Sequence, residues 1–520
     1  MGQSRPDSVR KFRGSAVTDP QDPNKFNLEA EVERHPWRQE IFSKHAWFRY
    51  SLFGLAAIVT GFAALYFNRV EAVGRLFFEV MSGDAPVGMF FEWFGIENDW
   101  TWTMPGALGT IIPIVLVIVG MIVICRLRDV YFKGTEGTGI PQAIAALKTP
   151  EGPIRKRMLS LRIAIGKMIL LTIGLFTGMT IGREGPSVHV GACCMYLITK
   201  VTRFQQNLVR RGLILGGGGA GIAAAFNAPV AGIVFAFEEI GRGFEKNNAG
   251  TIIRTVLIAC LVGIIFLGDY LFYGNVNKGG NVALDGVMQW ISVPVIGIVG
   301  GLLGGCFAWM VVHFTPVVTQ NVKKHPYLTA GFLGACLGGL ALLSGGLTYG
   351  SGFPEAQAIL MQETSPDFPW LTETTFPWHY PITKAAANFF CLISGIPGGL
   401  FDPSLSVGAG IGQIAHPLFS TLFDGISMKA VVMMFMVAYF TGVVQSPITC
   451  FVILVEMTDG RYMTIALGVT AVLAYEASHL VCRTAIYEAL ADIFLKNIDE
   501  PVDAASGEAK PGESSPAAAT

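Results

Sequence analysis

Long apolar runs follow one another along most of this chain. They cover residues 51–67, 106–125, 168–181, 211–237, 252–268, 291–311, 328–345, 385–415, 428–455 and 462–481. A helix needs about 20 apolar residues to cross the hydrocarbon layer of a membrane. Only 14% of the residues are charged, whereas about 25% are charged in a soluble globular protein. The sequence therefore predicts an all-α integral membrane protein.

Three of these runs are too long for a single membrane helix and are interrupted by glycine and proline. They are residues 211–237, 385–415 and 428–455. We interpret each as a pair of short or tilted helices, some of which enter the membrane without crossing it. The 62 glycines of the chain suit close contact between helices in lipid.

Lysine and arginine predict the orientation, because cytoplasmic loops of membrane proteins are enriched in both. Residues 1–46 and 126–157 are basic, whereas residues 69–105 between them are mainly acidic. We expect the basic segments and both termini to be cytoplasmic, in the plasma (inner) membrane. The predicted domains are a cytoplasmic segment at 1–46, a transmembrane domain at 47–490 and a disordered tail at 491–520, of which the last 20 residues are low-complexity. The net charge of −1 gives no indication of a nucleic-acid partner.

The chain contains an internal repeat. Residues 178–192 resemble 395–409, residues 137–147 resemble 350–360, and residues 227–239 resemble 445–457. The pairs come in the same order and at nearly the same separation, and Lys167 and Lys384 match in the same way. Chance similarity between glycine-rich apolar sequences is the alternative explanation. We predict two homologous halves at about 106–270 and 288–482, with the two lysines in structural pairings.

The repeated motifs share the pattern Gly-x-x-x-Pro inside an apolar run. Repeated membrane halves usually bind substrate near the midplane, where their helices are interrupted. Proline suits the first turn of a helix, and the unpaired N–H groups of that turn attract anions. We therefore expect several helix N-termini to converge on an anion site, with no full cation to hold the anion too tightly.

Glu184 is a position at which the two halves differ, since Phe401 replaces it in the second half. A charged residue at the centre of a bilayer costs about 2.5–3.5 kcal/mol on insertion scales. One interpretation is an ion pair with Arg183 or another cation. The other is that the Glu184 carboxylate occupies an anion site and blocks it until it is protonated. Glu184 would then be both the gate and a proton carrier.

When the two halves are compared, the adjacent acids Glu238 and Glu239 differ in whether the other half has a matching acid. Glu239 is matched by Met457, whereas Glu238 is matched by Glu456. We therefore predict a functional role for Glu239. For Glu238 and Glu456 we predict a structural role, such as satisfying the end of a helix.

These motifs resemble the CLC family of chloride channels and chloride/proton antiporters. The elements that carry the resemblance are "GREGP" at 182–186, "GTGIP" at 137–141, "GLFDP" at 399–403 and "AIYEAL" at 485–490. The resemblance implies a CLC fold of two inverted-topology repeats built from tilted and re-entrant helices. It also implies a homodimer with a pore in each subunit, embedded in lipid. Chloride, other small anions and protons would be the substrates, with no cofactor and no enzymatic reaction.

The resemblance also implies roles for individual residues. Five would bind anions through hydroxyl or backbone N–H groups: Thr138, Gly185, Leu400, Phe401 and Tyr487. Glu184 matches the gating glutamate, and Glu239 matches the inner glutamate that passes protons to the cytoplasm in antiporters. Because channel members generally have an apolar residue at the second position, we expect chloride/proton antiport. A passive, voltage- or pH-gated chloride channel is the alternative.

Thr138 departs from the usual family motif, which is Gly-Ser-Gly-Ile-Pro. It keeps the hydroxyl, and it is neither the proline associated with nitrate preference nor the Met or Asn of fluoride exporters. The resemblance therefore implies chloride as the anion. Helix capping is the alternative role for Thr138, and an interfacial or core tyrosine is the alternative for Tyr487.

"GGGGAG" at 216–221 satisfies the glycine pattern of dinucleotide-binding enzymes. That function requires a preceding strand in a βαβ unit. Here the motif opens a long apolar segment, so we do not expect a membrane-anchored redox enzyme.

Overall fold

The computed structural model describes residues 18–19, 22–26, 44–150, 152–202, 207–243, 246–278, 282–365, 368 and 370–503. The chain divides into two units, residues 1–55 and residues 56–520. In the first unit, strands β1 (Thr18–Asp19) and β2 (Asp22–Phe26) pair antiparallel, and a long helix starts at Lys44. This small hairpin was not predicted. Most of the predicted segment 1–46 lies outside the described residues.

The described part of the second unit is mainly helical. In chain order the α-helices of the described residues are α1 (Lys44–Ser82), α2 (Val87–Glu92), α3 (Gly106–Tyr131), α4 (Ile140–Lys148), α5 (Pro153–Met158), α6 (Leu161–Phe176), α7 (Glu184–Thr202), α8 (Asn207–Phe226), α9 (Pro229–Phe235), α10 (Lys246–Leu267), α11 (Val287–Lys324), α12 (Pro326–Ser344), α13 (Phe353–Met361), α14 (Tyr380–Ile393), α15 (Phe401–Leu422), α16 (Met428–Val444), α17 (Pro447–Thr458), α18 (Thr464–His479) and α19 (Ile486–Asp503). A π-helical turn, Ala236–Ile240, continues α9, and a 3₁₀ turn, Arg461–Met463, precedes α18.

Six helical stretches of the described residues are long and apolar enough to cross a membrane. They lie in α1, α3, the α5–α6 pair, α10, α11 and α12. Large apolar side chains on one face of α3, at Leu108, Ile111, Val115 and Val119, are exposed. Their spacing of three to four residues forms a stripe along the helix, as expected for a surface in contact with lipid.

Two of the long apolar runs are broken in the same way. In residues 211–237, α8 ends before Asn227, which has a left-handed φ of 53°, and α9 starts at Pro229. In residues 428–455, α16 ends before Gln445, with a φ of 62°, and α17 starts at Pro447. Proline cannot continue a preceding helix but fits a first turn. The predicted pairs of short helices are confirmed, including α14 and α15 in residues 385–415.

The two halves meet at equivalent glycines. Gly182 N–H donates to the Gly399 carbonyl at 2.9 Å, and Gly399 N–H donates to the Gly182 carbonyl at 2.6 Å. The segments run antiparallel in this isolated bridge. Because matching residues bond to each other reciprocally, a local two-fold axis passes between them, as inverted repeats require.

Glu238 and Glu456, which occupy matching positions in the two halves, make reciprocal contacts. The Glu238 carboxylate accepts the backbone N–H groups of Ile448 and Thr449, in the first turn of α17, at 3.0 and 2.6 Å. Glu456 accepts two backbone N–H groups in the first turn of α9, at 3.1 and 2.8 Å. Each half therefore supplies a carboxylate to a helix N-terminus of the other half. The predicted structural role of this pair is confirmed.

The paired lysines hold the chain that leads into α4 and α13. The fully buried Lys167 ammonium donates to the carbonyls of Thr135 and Gly137 at 2.9 and 2.7 Å. The three N–H groups of the Lys384 ammonium are shared among four successive carbonyls at 347–350, which lie 3.0 to 3.3 Å from Nζ. Both cations therefore pair with backbone carbonyls, which confirms the structural role.

The C-terminal prediction requires correction. Residues 491–503 are not a disordered tail, because α19 continues through them to Asp503. Leu490, Phe494 and Leu495 pack one face of this helix against the hydrophobic core, and that packing stabilises a segment whose composition alone indicated disorder. Residues 504–520 lie outside the described residues.

Candidate functional site

Glu184 is the first residue of α7 and is fully buried. Its carboxylate lies beside the bridge between the halves, where a Cβ on either Gly182 or Gly399 would overlap Oε2. Oε1 accepts the backbone N–H of Arg183 at 3.2 Å. Glycine at both bridge positions therefore provides the space that the carboxylate occupies.

Arg183 does not form the ion pair with Glu184 that was one version of the alternative interpretation. Its guanidinium pairs with Glu71 at 3.0 Å, donates to the Ala225 carbonyl at 3.3 Å and lies 5.5 Å from the ring centre of Phe272. In the part of the chain that the structure describes, the side-chain partner of this cation is Glu71 rather than Glu184.

The starts of α4 and α7 lie against each other. Gly139, the N-cap of α4, has a left-handed φ of 102°, and a Cβ there would lie 2.6 Å from the Cβ of His189. A Cβ on Gly185 would lie 2.8 Å from the Thr138 carbonyl oxygen. Both glycines are thus required for this close approach, which brings Thr138 to the N-terminus of α7.

Two hydroxyls predicted to bind anions are buried. Thr138 Oγ1 and the Tyr487 hydroxyl form no hydrogen bond with any described residue. The N-cap of α4 is Gly139, so Thr138 does not cap the helix. A buried core tyrosine normally finds a partner for its hydroxyl. Neither alternative role accounts for these groups, and both hydroxyls can bind a polar ligand.

Leu400 and Phe401 form the start of α15. Leu400 is the N-cap and Phe401 the first helical residue, and both are fully buried. The Phe401 ring lies 6.4 Å from that of Tyr487, in a stacked orientation, and 4.7 Å from that of Phe440. The backbone of α15 and the Tyr487 side chain therefore belong to one buried region.

Glu239 lies in the π-helical turn after α9 and is fully buried. The Ser446 hydroxyl donates to its carboxylate, and Arg242 Nη2 lies 3.4 Å from its Oε1. The same guanidinium nitrogen is 3.8 Å from Glu488. Single π-turns within helices often occur at functional sites, and this one turns Glu239 inward beneath a partly exposed arginine.

Two cavities lie near these acids. The first, called here the Arg183 cavity, has a volume of about 740 Å³ and is lined by Arg69, Glu71, Arg75, Arg183 and Ser351, among others. The second, the Glu488 cavity, has a volume of about 340 Å³ and polar walls that include Arg242, His479, Arg483, Glu488 and Asp492. Arg183, the neighbour of Glu184 in the chain, thus lines the first cavity, and Arg242 connects Glu239 to the second.

Sequence reasoning missed three side chains of this region. Asp402 follows Phe401 in α15 and is fully buried facing Glu184. Glu71 holds Arg183, and Ser446 bonds to Glu239. A charge inside the apolar run at 385–415 was a visible signal for Asp402, whereas Glu71 and Ser446 are brought to the site only by the tertiary fold.

Comparison with known proteins identifies the family. The family model described as voltage gated chloride channel matches residues 115–479. This chain belongs to the voltage gated chloride channel (CLC) family. The match covers the described helices from α4 to α18 and includes the sites of Glu184 and Glu239.

Relatives of this CLC protein include several that carry the name H(+)/Cl(−) exchange transporter ClcA. The protein from Vibrio parahaemolyticus is 28% identical over 79% of this chain and 87% of its own length. The protein from Vibrio cholerae is 29% identical over 69% of this chain and 75% of its own length.

Solved structures share the CLC fold. A slow cyanobacterial Cl⁻/H⁺ antiporter aligns with a TM-score of 0.68 at 19% identity, over 87% of this chain and 99% of its own. A CLC-type fluoride/proton antiporter aligns with a TM-score of 0.63 at 19% identity, over 85% of this chain and 98% of its own. At this identity the similarity shows the fold, and the predicted all-α architecture of inverted repeats is confirmed.

Proposed function

We propose that this protein is a chloride/proton antiporter in which Glu184 is the gate for the anion. Its main support is that two buried carboxyl groups, of Glu184 and Glu239, both lie close enough to the Tyr487 hydroxyl to interact with it electrostatically. The relatives named as H(+)/Cl(−) exchange transporters add support.

The anion would bind where the described helix N-termini converge. The hydroxyls of Thr138 and Tyr487 and the backbone N–H groups of Leu400 and Phe401 would contact chloride at a central position. The N–H group of Gly185 would contact it at an outer position. In the present conformation the Glu184 carboxylate occupies the space beside Gly182 and Gly399. Protonation would remove its charge and release it from these positive helix ends.

Protons would reach the two acids from different sides. Glu184 directly follows Arg183, which lines the Arg183 cavity, whereas Glu239 connects through Arg242 to the Glu488 cavity. Carboxyl groups are suited to this transfer because their protonation state can follow the local proton supply. The two routes share Glu184, and the path from Glu184 to Glu239 passes Tyr487.

The proposed setting is a homodimer with one such path in each subunit, in the plasma (inner) membrane. Residues 1–46 and both termini would be cytoplasmic, with the transmembrane domain at 47–490. Chloride and other small anions would exchange for protons without a cofactor or a chemical reaction.

The decisive experiment measures proton movement in liposomes that contain the purified protein and a chloride gradient. We expect protons to move against their own gradient while chloride flows down its gradient. Chloride flow without proton movement would instead indicate the passive channel. Absence of any anion flux would contradict both functions.

Two variants test the assigned acids. We expect Glu184→Ala to keep anion flux and abolish proton coupling, because the gate and the carrier are removed together. We expect Glu239→Gln to reduce the rate of proton movement at least tenfold while anion transport continues. Glu363→Gln, on an exposed loop residue, is the matched control and should behave as the parent protein. Normal proton coupling in Glu239→Gln would overturn the assigned inner route.

A further inference from the structure

Asp402 is a second acid at the gate. It is the second residue of α15, directly after the two backbone groups assigned to the anion, and it is fully buried. Neither of its carboxylate oxygens accepts a hydrogen bond from a donor group of the described residues. The side chain within hydrogen-bonding reach is the carboxyl group of Glu184.

A first-turn acid often has a structural role, because it can accept N–H groups and interact with the helix dipole. Glu238 and Glu456 show that arrangement in this protein, each with two backbone N–H groups bound. Asp402 accepts none from the described chain. Capping therefore does not explain why this carboxyl group is buried.

The surrounding charges do not neutralise the pair of acids. The groups that interact with Asp402 are Glu184, Glu71 and Arg183, and the Tyr273 hydroxyl faces the same region. Arg183 is the cation among them, and its guanidinium already pairs with Glu71 at 3.0 Å. Three carboxyl groups thus share one arginine.

Two buried carboxylates in contact repel each other, so such pairs hold a proton between them. Without a proton, the contact between Asp402 and Glu184 contains no donor. With one proton it becomes a charge-assisted O–H···O⁻ hydrogen bond. An ionised Asp402 would also repel an anion at the neighbouring N–H groups of Leu400 and Phe401.

We propose that Asp402 and Glu184 form a carboxyl pair that shares a proton, which makes Asp402 a second proton-binding group of the gate. The proposal rests on the proposed function of Glu184. It adds that anion binding at the start of α15 is linked to protonation of two acids rather than one. After removal of Glu184, the remaining acid should therefore keep anion flux dependent on pH.

The test measures anion flux from proteoliposomes as a function of pH. In Asp402→Asn we expect the pH at which anion flux is half-maximal, the midpoint, to fall by about one pH unit or more. The reason is that a neighbouring negative charge no longer favours protonation of Glu184. Asp402→Ala removes the charge without adding an amide donor and should shift the midpoint in the same direction. Asp424→Asn is the matched control, since Asp424 follows α15 with a left-handed φ that asparagine adopts readily.

A second comparison isolates Asp402. Anion flux through Glu184→Ala should still fall as pH rises, whereas flux through Glu184→Ala/Asp402→Asn should be independent of pH. Overlapping profiles of Asp402→Asn and the parent, or a flat profile for Glu184→Ala alone, would overturn the proposal. This test measures anion flux and does not depend on proton coupling. If the protein proved to be a passive channel, antiport would be contradicted, but the test would still decide the role of Asp402. If the parent protein shows no anion flux, chloride affinity is measured instead, by calorimetric titration at two pH values. The variants should then differ in the pH dependence of chloride affinity as described for anion flux.

Discussion

At the scale of single residues, the Thr138 hydroxyl is unusual because buried polar groups nearly always have a partner. Thr138→Val keeps the shape of the side chain and removes this group. We expect chloride affinity to fall by about 10- to 150-fold, since a hydrogen bond to a charged group contributes about 1.5–3 kcal/mol. Calorimetric titration of chloride measures the change. Thr315→Val is the control, because its hydroxyl bonds to the Val311 carbonyl within α11. Unchanged affinity in Thr138→Val would remove Thr138 from the anion site.

Residue identities revealed some site members better than others. Glu184 was recognisable because an acid within lipid is costly and because Phe401 replaces it in the other half. Asp402 directly follows Phe401, a predicted anion residue, yet nothing in the repeat showed that its carboxyl group faces Glu184. That contact depends on α7 and α15 starting side by side at the Gly182–Gly399 bridge, which is a tertiary relation.

At the scale of elements, the reciprocal carboxylates of Glu238 and Glu456 join the short helices α9 and α17. Removing either one leaves two helix N–H groups without a partner, which costs about 1–2 kcal/mol for a lost N-terminal cap. We expect Glu238→Ala and Glu456→Ala to lower the thermal unfolding midpoint in detergent by similar amounts. Glu363→Ala on the exposed loop should leave it unchanged. A large effect of one substitution and none of the other would contradict the reciprocal role.

The helix breaks were predictable because proline acts locally. Pro229 and Pro447 mark the starts of α9 and α17 in sequence as they do in the structure. The π-turn that contains Glu239 and the helix that extends to Asp503 were not predictable in this way. The π-turn depends on a change in backbone register that no residue type specifies. The α19 helix depends on packing of its apolar face against a distant part of the chain.

At the scale of the whole molecule, the sequence repeat predicted two halves, and the glycine bridge shows how they are related. A two-fold axis that exchanges Gly182 and Gly399 also exchanges the carboxylates of Glu238 and Glu456 and the carbonyl-bound lysines. Function then arises where the symmetry is broken. One half supplies Glu184 and Glu239, and the other half supplies Phe401 and Met457 at the matching positions.

The proposed orientation across the membrane can be tested by surface labelling. Helix α3 runs from the acidic segment before Gly106 to the basic segment after Tyr131, so the positive-inside rule places its start outside and its end in the cytoplasm.

We expect Glu97→Cys, at an exposed position, to react with a membrane-impermeant maleimide in intact cells. Lys156→Cys, also exposed, should react only after the cells are opened. The parent chain, with Cys306 exposed on the apolar helix α11, controls for native thiols. Labelling of Lys156→Cys in intact cells, with Glu97→Cys protected, would reverse the proposed orientation and with it the placement of Glu239 toward the cytoplasm.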